Sequence, residues 1–193
     1  AAPGNYQVYV YKYNSSTNTW DEYGRPNTGN GTFLDITHDG QTIIAGETYY
    51  NNNGSSNSGR ATVYEYTGDG TTHSWTQVGG DIILHNTVNN YNGWDVAINK
   101  TGNIVVVGAF GYDAHGTDAG KIQAFKYKSG AEAGDYTHGY LEHDDWEPLG
   151  NAIIPGSVNM AYYNYGLALQ MNDDGYTFVH ASRGGSSSQR FIE

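Results

Sequence analysis

Gly93-Trp94-Asp95-Val96-Ala97-Ile98-Asn99-Lys100-Thr101-Gly102-Asn103-Ile104-Val105-Val106-Val107-Gly108-Ala109 is the stretch that decides the fold. Its first half alternates, with Trp94, Val96 and Ile98 on one side and Asp95, Ala97 and Asn99 on the other, which is the period of a strand. Thr101-Gly102 supplies a tight turn. The second half is an unbroken apolar run, rich in β-branched residues and without a helical period, so it predicts a strand covered on both faces. Similar two-strand units flank it. Thr32 to Thr37, the turn His38-Asp39-Gly40 and Thr42 to Gly46 form one; Tyr165 to Met171, the turn Asp173-Asp174-Gly175 and Tyr176 to Ala181 form the other.

Outward from these units lie Tyr-rich strands, each closed by a tryptophan. Residues 6–13 alternate, with Val8 and Val10 on one face and Tyr9, Tyr11 and Tyr13 on the other, and make a hairpin with Trp20 to Tyr23. Residues 61–66 lead to Trp75, and Ile122 to Tyr127 leads to Trp146. Residues 49–59 form a long polar loop, and Asp81 to Leu84 and Asn151 to Gly156 restart the cycle. The turn glycines Gly40, Gly102 and Gly175 and the aromatic positions Tyr11, Tyr64 and Phe125 recur in step, with a period of roughly 50–70 residues that suits four short strands per propeller blade. The fold class expected is all-β and β-propeller-like, with about three four-stranded antiparallel blades in one domain over residues 1–193. The blades run approximately 32–80, 93–150 and 166–193 plus 6–24, the last split between the N- and C-termini. Stacking blades buries both faces of each, which accounts for the apolar second strands. It places strand tyrosines such as Tyr9, Tyr11 and Tyr64 between blades and lets Gly46 and Gly108 bring backbones close together.

Composition agrees and excludes several functions. Twenty-seven Gly, 18 Tyr and only two Met disfavour helices. A formal net charge of -11, with nine Lys and Arg spread thinly, disfavours nucleic acid and anionic membranes. The absence of cysteine excludes disulfides, zinc-thiolate sites and thiol catalysis. No apolar run is long enough to insert in a membrane as a helix, and no charged-then-apolar leader opens the sequence; Ala1-Ala2-Pro3-Gly4 suits the remnant of a cleaved one.

With the units aligned, the sequence resembles the FG-GAP repeat family, the blades of integrin-α-type propellers. The matching pieces are residues 93–109, Tyr-Gly-Leu-Ala-Leu-Gln-Met-Asn-Asp-Asp-Gly at 165–175, Gly-Lys-Ile-Gln-Ala-Phe-Lys-Tyr at 120–127 and Trp-Thr-Gln-Val-Gly-Gly-Asp-Ile at 75–82. The resemblance covers nearly the whole chain. It implies an extracellular or cell-surface protein that mediates adhesion or assembly, with protein as its partner through self-association or a larger extracellular assembly. The family often carries a calcium loop, Asp-x-Asp-x-Asp-Gly. No copy here has it, and the nearest, Asn172-Asp173-Asp174-Gly175, reads as a turn, so no cofactor is expected, with calcium at this turn the alternative.

Asn14, Asn30, Asn53 and Asn99 each open Asn-x-Ser/Thr and are candidate N-glycosylation sites in expected loops or turns. Loop tyrosines Tyr49, Tyr50, Tyr91, Tyr112, Tyr162 and Tyr163 are candidate exposed contacts, as protein interfaces and sugar platforms both use them. The seven histidines, His38, His73, His85, His115, His138, His143 and His180, form no zinc motif. Asp144, Asp145 and Glu147 cluster beside Trp146, but adjacency on a loop is not the geometry of two carboxylates across a sugar. Gly184-Gly185-Ser186-Ser187-Ser188 is a polar loop and not a nucleophile elbow.

The two ends complement each other: the first strands supply the outer half of a blade, and the last supply the inner half, with a third strand starting at Gln189 to Glu193. Val8, Val10, Tyr11, Phe191 and Ile192 are therefore candidate inter-chain or ring-closing positions. Closure within one chain, head-to-tail pairing into a ring or fibre, and excision from a longer chain all fit this pattern. The functional expectation is a structural or adhesive propeller module and not an enzyme. A carbohydrate-binding, lectin-like propeller is the alternative, and a propeller glycosidase ranks last.

Overall fold

The computed structural model describes residues 7–128, 146–156 and 161–183, and all structural statements below concern these residues. They are all-β, without a helix, in four antiparallel sheets of two to four strands. No helix long and apolar enough to cross a membrane is present among them. Strands β1 (Tyr11–Asn14) and β2 (Thr19–Glu22) form a hairpin. Strands β3 (Phe33–Ile36), β4 (Thr42–Glu47), β5 (Arg60–Tyr66) and β6 (Trp75–Gln77) follow as a four-stranded meander. Strands β7 (Asn92–Ile98), β8 (Ile104–Ala109), β9 (Lys121–Tyr127) and β10 (Trp146–Ile153) form a second meander, with register shifts in β7 and β10. Strands β11 (Ala168–Met171) and β12 (Phe178–Ala181) close the described chain as a hairpin.

The turns repeat atom for atom. The N–H groups of Thr37, Asn99 and Asn172 each donate across the hairpin, at 2.9 Å, to Thr42, Ile104 and Thr177. The N–H groups of Gly40, Gly102 and Gly175 bond back to them at 2.9 to 3.1 Å. These glycines have φ of 70°, 76° and 81°, a left-handed conformation that glycine adopts without a Cβ penalty. The outer hairpins repeat as well. Tyr13 faces Trp20, Tyr66 faces Trp75 and Tyr127 faces Trp146 across their ladders, with ring centroids 5.5, 5.6 and 5.1 Å apart. The Trp75 indole N–H donates to the Tyr23 carbonyl of the preceding unit (2.9 Å), and Trp146 donates to that of Val78 (3.0 Å). Trp20 is exposed, and its indole N–H has no hydrogen-bond partner among the described residues.

The core lies between consecutive sheets. Val8 and Val10 pack on Ile43, Tyr64 and Trp75. Ile44 and Val63 pack with Val96, Ile98, Phe125 and Trp146. Ala97, Val106 and Ile122 pack with Leu169. Strand β8 is buried along its whole length, as its unbroken apolar run requires. Gly46 and Gly108 allow the close approach: a methyl on Gly46 would overlap the Gly93 carbonyl, and one on Gly108 would overlap that of Gly166. Parallel bridges then join Gly59 to Asn92 and Gly120 to Tyr165. Carboxylates reinforce the contact between first strands: Asp35 Oδ2 accepts from the Ile98 N–H (2.9 Å), and Asp95 Oδ2 accepts from that of Leu169 (2.5 Å).

Several expectations are corrected. Tyr9 and Tyr11 are exposed and do not pack between sheets; strand alternation turns Val8 and Val10 inward, and no sheet covers the other face. Asp81 to Leu84, expected to restart the cycle, instead belongs to the preceding unit, where Ile82 exchanges backbone bonds with Ala61 (2.9 and 2.8 Å) while its side chain fills the core. Asn151 to Ile153 extend β10 past its register shift and do not begin a new unit. Among the described residues β1–β2 and β11–β12 form two separate two-stranded sheets.

Candidate functional site

Three features stand out: two open sheet faces and a row of aromatic rings. Counting back from the turn glycines, Leu34, Val96 and Leu169 occupy one position. Val96 and Leu169 are 2% and 6% exposed beneath the preceding unit, whereas Leu34 is 52% exposed. Its neighbour on that face, Ile36, is exposed too, while the equivalent Ile98 is buried. At the other end, Ile44, Val106 and Val179 are equivalent. The first two are fully buried under the following unit, whereas Val179 is 66% exposed. Strand β12 offers a free ladder edge beside this face, because β11 is its sole strand partner among the described residues.

The aromatic row gathers at the ends of β3, β4, β7 and β8 remote from the turns. Tyr91 stacks on Phe110 with centroids 4.8 Å apart and planes at 5°. Phe110 meets Trp94 edge-on at 4.4 Å, Trp94 meets Phe33 at 5.2 Å, and Tyr49 meets Tyr91 edge-on at 6.1 Å. The Tyr91 backbone is left-handed, φ 55°, where its counterpart is Asn164 at 51°. Asparagine tolerates that conformation, whereas tyrosine does so at a cost that its ring contacts offset. Two candidate tyrosines, Tyr49 and Tyr91, are thus brought together, while Phe33, Trp94 and Phe110 were not among the candidates read from the sequence; the packing of β3 against β7 that brings Phe33 to Trp94 spans more than 60 residues.

The other candidate tyrosines scatter. Tyr50 is half-buried beneath the Arg60 guanidinium (3.8 Å), and Tyr112 holds the same place beneath Lys121 (5.1 Å). Tyr162 is exposed and Tyr163 half-buried. Burial opposes the charge on Arg60, but its hydrogen bonds to Glu47 (3.0 Å) and Asp81 (2.7 Å) prevail and hold its pKa above the usual value. Lys121 is shifted down by burial. Asp95 is shifted up, first by burial, against the pull of the Leu169 and Val96 N–H groups and with the repulsion of Asp35.

Of the sequons, Asn53 is exposed in a left-handed turn (φ 47°), and its amide has no partner among the described residues. Asn14 Nδ2 is bonded to Asp21 (2.9 Å), and Asn30 is half-buried with its N–H facing Glu47 (3.4 Å). Asn99 is 3% exposed, and its amide is engaged within the turn, Nδ2 donating to Thr101 and Asn103 and Oδ1 accepting from the Asn103 and Ile104 N–H groups. Val8 and Val10 are spent on the internal core, so only the Tyr11 side of that strand remains open. Phe191, Ile192, His138, His143, Asp144, Asp145 and the loop 184–188 lie outside the described residues. Glu147 is paired with Lys128.

The turn ends of β3, β7 and β11 border a polar cleft of about 220 Å³, where His38, Lys100 and Asp173 meet. Among the described residues no three His, Asp or Glu side chains converge as a metal-holding group. A scan against protein-family models finds no match for this chain, and a search of curated proteins finds none either.

Proposed function

We propose that the chain is a section of a β-propeller of the FG-GAP kind that serves as an extracellular structural or adhesive module, holding proteins together and not transforming a substrate. The observation that carries this reading is the twice-made contact between units, Gly46 on Gly93 and Gly108 on Gly166, each with a parallel bridge beside it. A contact repeated between successive sheets supports a rotation from one to the next, which a propeller requires. That β3, β7 and β11 border one cleft favours an axis beside these strands. Electron cryomicroscopy of the native particle tests the architecture: sheets radiating from an axis lined by these strands support it, and sheets stacked in line remove it. Chemical cross-linking of the chain in extracellular material tests the role; a folded chain that cross-links to no protein removes it.

The aromatic row favours a second reading, carbohydrate binding, because partly exposed rings offer apolar faces and polar edges to sugars. A glycan array decides it: binding that disappears in Trp94→Ala and Tyr49→Ala carries the reading, and a blank array removes it.

A further inference from the structure

The exposed face at the start of the chain and the exposed face at its end are the two sides of a contact that the chain already makes twice internally. Strand β7 lays Val96 and Ile98 against the Ile44 side of β4, and β11 lays Leu169 against Val106 of β8. Strand β3 presents Leu34 and Ile36 in the same way with no described residue covering them, and β12 presents Val179 with none of the described residues above it. The ladders match too. Strand β4 pairs with β5 through Ile43–Tyr64, Ile44–Val63 and Ala45–Thr62, and β8 pairs with β9 through Val105–Phe125, Val106–Ala124 and Val107–Gln123. On β12 the corresponding positions are Phe178, Val179 and His180, and at the entry to β1 they are Tyr11, Val10 and Tyr9.

We propose that a second copy of this chain occupies the end face, with its β3 covering Val179 and its residues 9–11 extending the β11–β12 sheet, Tyr11 opposite Phe178 and Tyr9 opposite His180. The proposal rests on the propeller reading and names its partner. Each chain holds two four-stranded sheets and two complementary halves, three units in all. Two copies of the 193-residue chain give six units, the multiple of three that falls within the four to eight blades of closed propellers, so the particle predicted for this chain on its own is a closed dimer. The same contact then occurs at both junctions, continuous with the internal interfaces.

The test uses the 193-residue chain. Light scattering at about 100 µM should give a particle twice the 21.0 kDa of one chain. Leu34 and Val179 are exposed in the single chain, so Leu34→Glu and Val179→Arg leave its fold intact, as circular dichroism will verify. Each variant alone should dissociate, with affinity lowered about tenfold or more. An equimolar mixture of the two should regain the dimer, because one junction is then native and the other pairs Glu with Arg. For the register, a Tyr9→Cys chain mixed with a His180→Cys chain should form a disulfide-linked dimer in a protein that otherwise has no cysteine. A monomer at every concentration, variants that dissociate no more than the parent, a mixture that stays monomeric, or a failure to cross-link would each overturn the proposal. Occupation of the β12 edge by residues 184–193 of the same chain would appear as such a monomer. If images of that monomer still show sheets around an axis, the pairing falls and the propeller reading stands; sheets without an axis remove both.

Discussion

Arg60 shows how one side chain ties loop, strand and the entry to the next unit together. It bonds Glu47 at the end of β4 and Asp81 in the connection to β7, with Tyr50 beneath it. Glu47 is 1% exposed, so Arg60→Met would strand a buried charge. The expected loss is about 3–5 kcal/mol of unfolding free energy, read from urea titration. Asp95 carries a pH dependence of definite sign. Its folded pKa is raised above 3.8, so its contribution to stability is fully present below that value and fades as pH rises through the raised one. Asp95→Asn should abolish this component, and unfolding curves compared between about pH 3.5 and pH 6 would reveal it. Residue roles of this kind were the least legible in the sequence. The sequon at Asn99 is a local pattern, blind to the turn that consumes its amide. Tyr9 and Tyr64 look alike in sequence, yet only Tyr64 has a neighbouring sheet to pack on.

At the scale of elements, the two-strand units were readable because alternation, a turn glycine and an apolar run each have a local cause. Gly46 and Gly108 were readable for the same reason, and the backbones do meet there. Their weight can be measured. Gly46→Ala forces a methyl into the Gly93 carbonyl, where both sides are backbone and cannot yield, and should cost about 3 kcal/mol in thermal or urea unfolding. Gly54→Ala is the control: φ is 86° with nothing within 4 Å of the new methyl, so it carries only conformational strain, about 1 kcal/mol. Equal costs would mean that the close approach does not govern the contact. Less readable were segments whose residues are buried without pairing. Ile82, Ile83 and Leu84 have the composition of a strand, but they serve as an apolar plug between sheets.

At the scale of the molecule, the all-β class and the antiparallel pairing were legible, whereas the relation between units was not, since it depends on contacts that no local pattern encodes. Each unit is stabilised by its neighbours, so protection should be graded along the chain. Amide exchange is expected to be slowest in β4, β5, β8 and β9 and fastest in β1–β2 and β11–β12, by mass spectrometry; uniform protection would show that the sheets open together. The outer hairpins carry one more consequence. The inter-sheet contacts described lie away from residues 14–19 and from the outer part of the 67–74 tip, where only His73 reaches the preceding unit, at Tyr23, and Gly70 has open space around it. The corresponding stretch of sequence, 128–145, is more than twice as long. These tips are where the architecture accepts foreign sequence, so an epitope or a small binding peptide grafted at Gly70 should leave the fold intact, making the chain a scaffold for display as well as a subject for study.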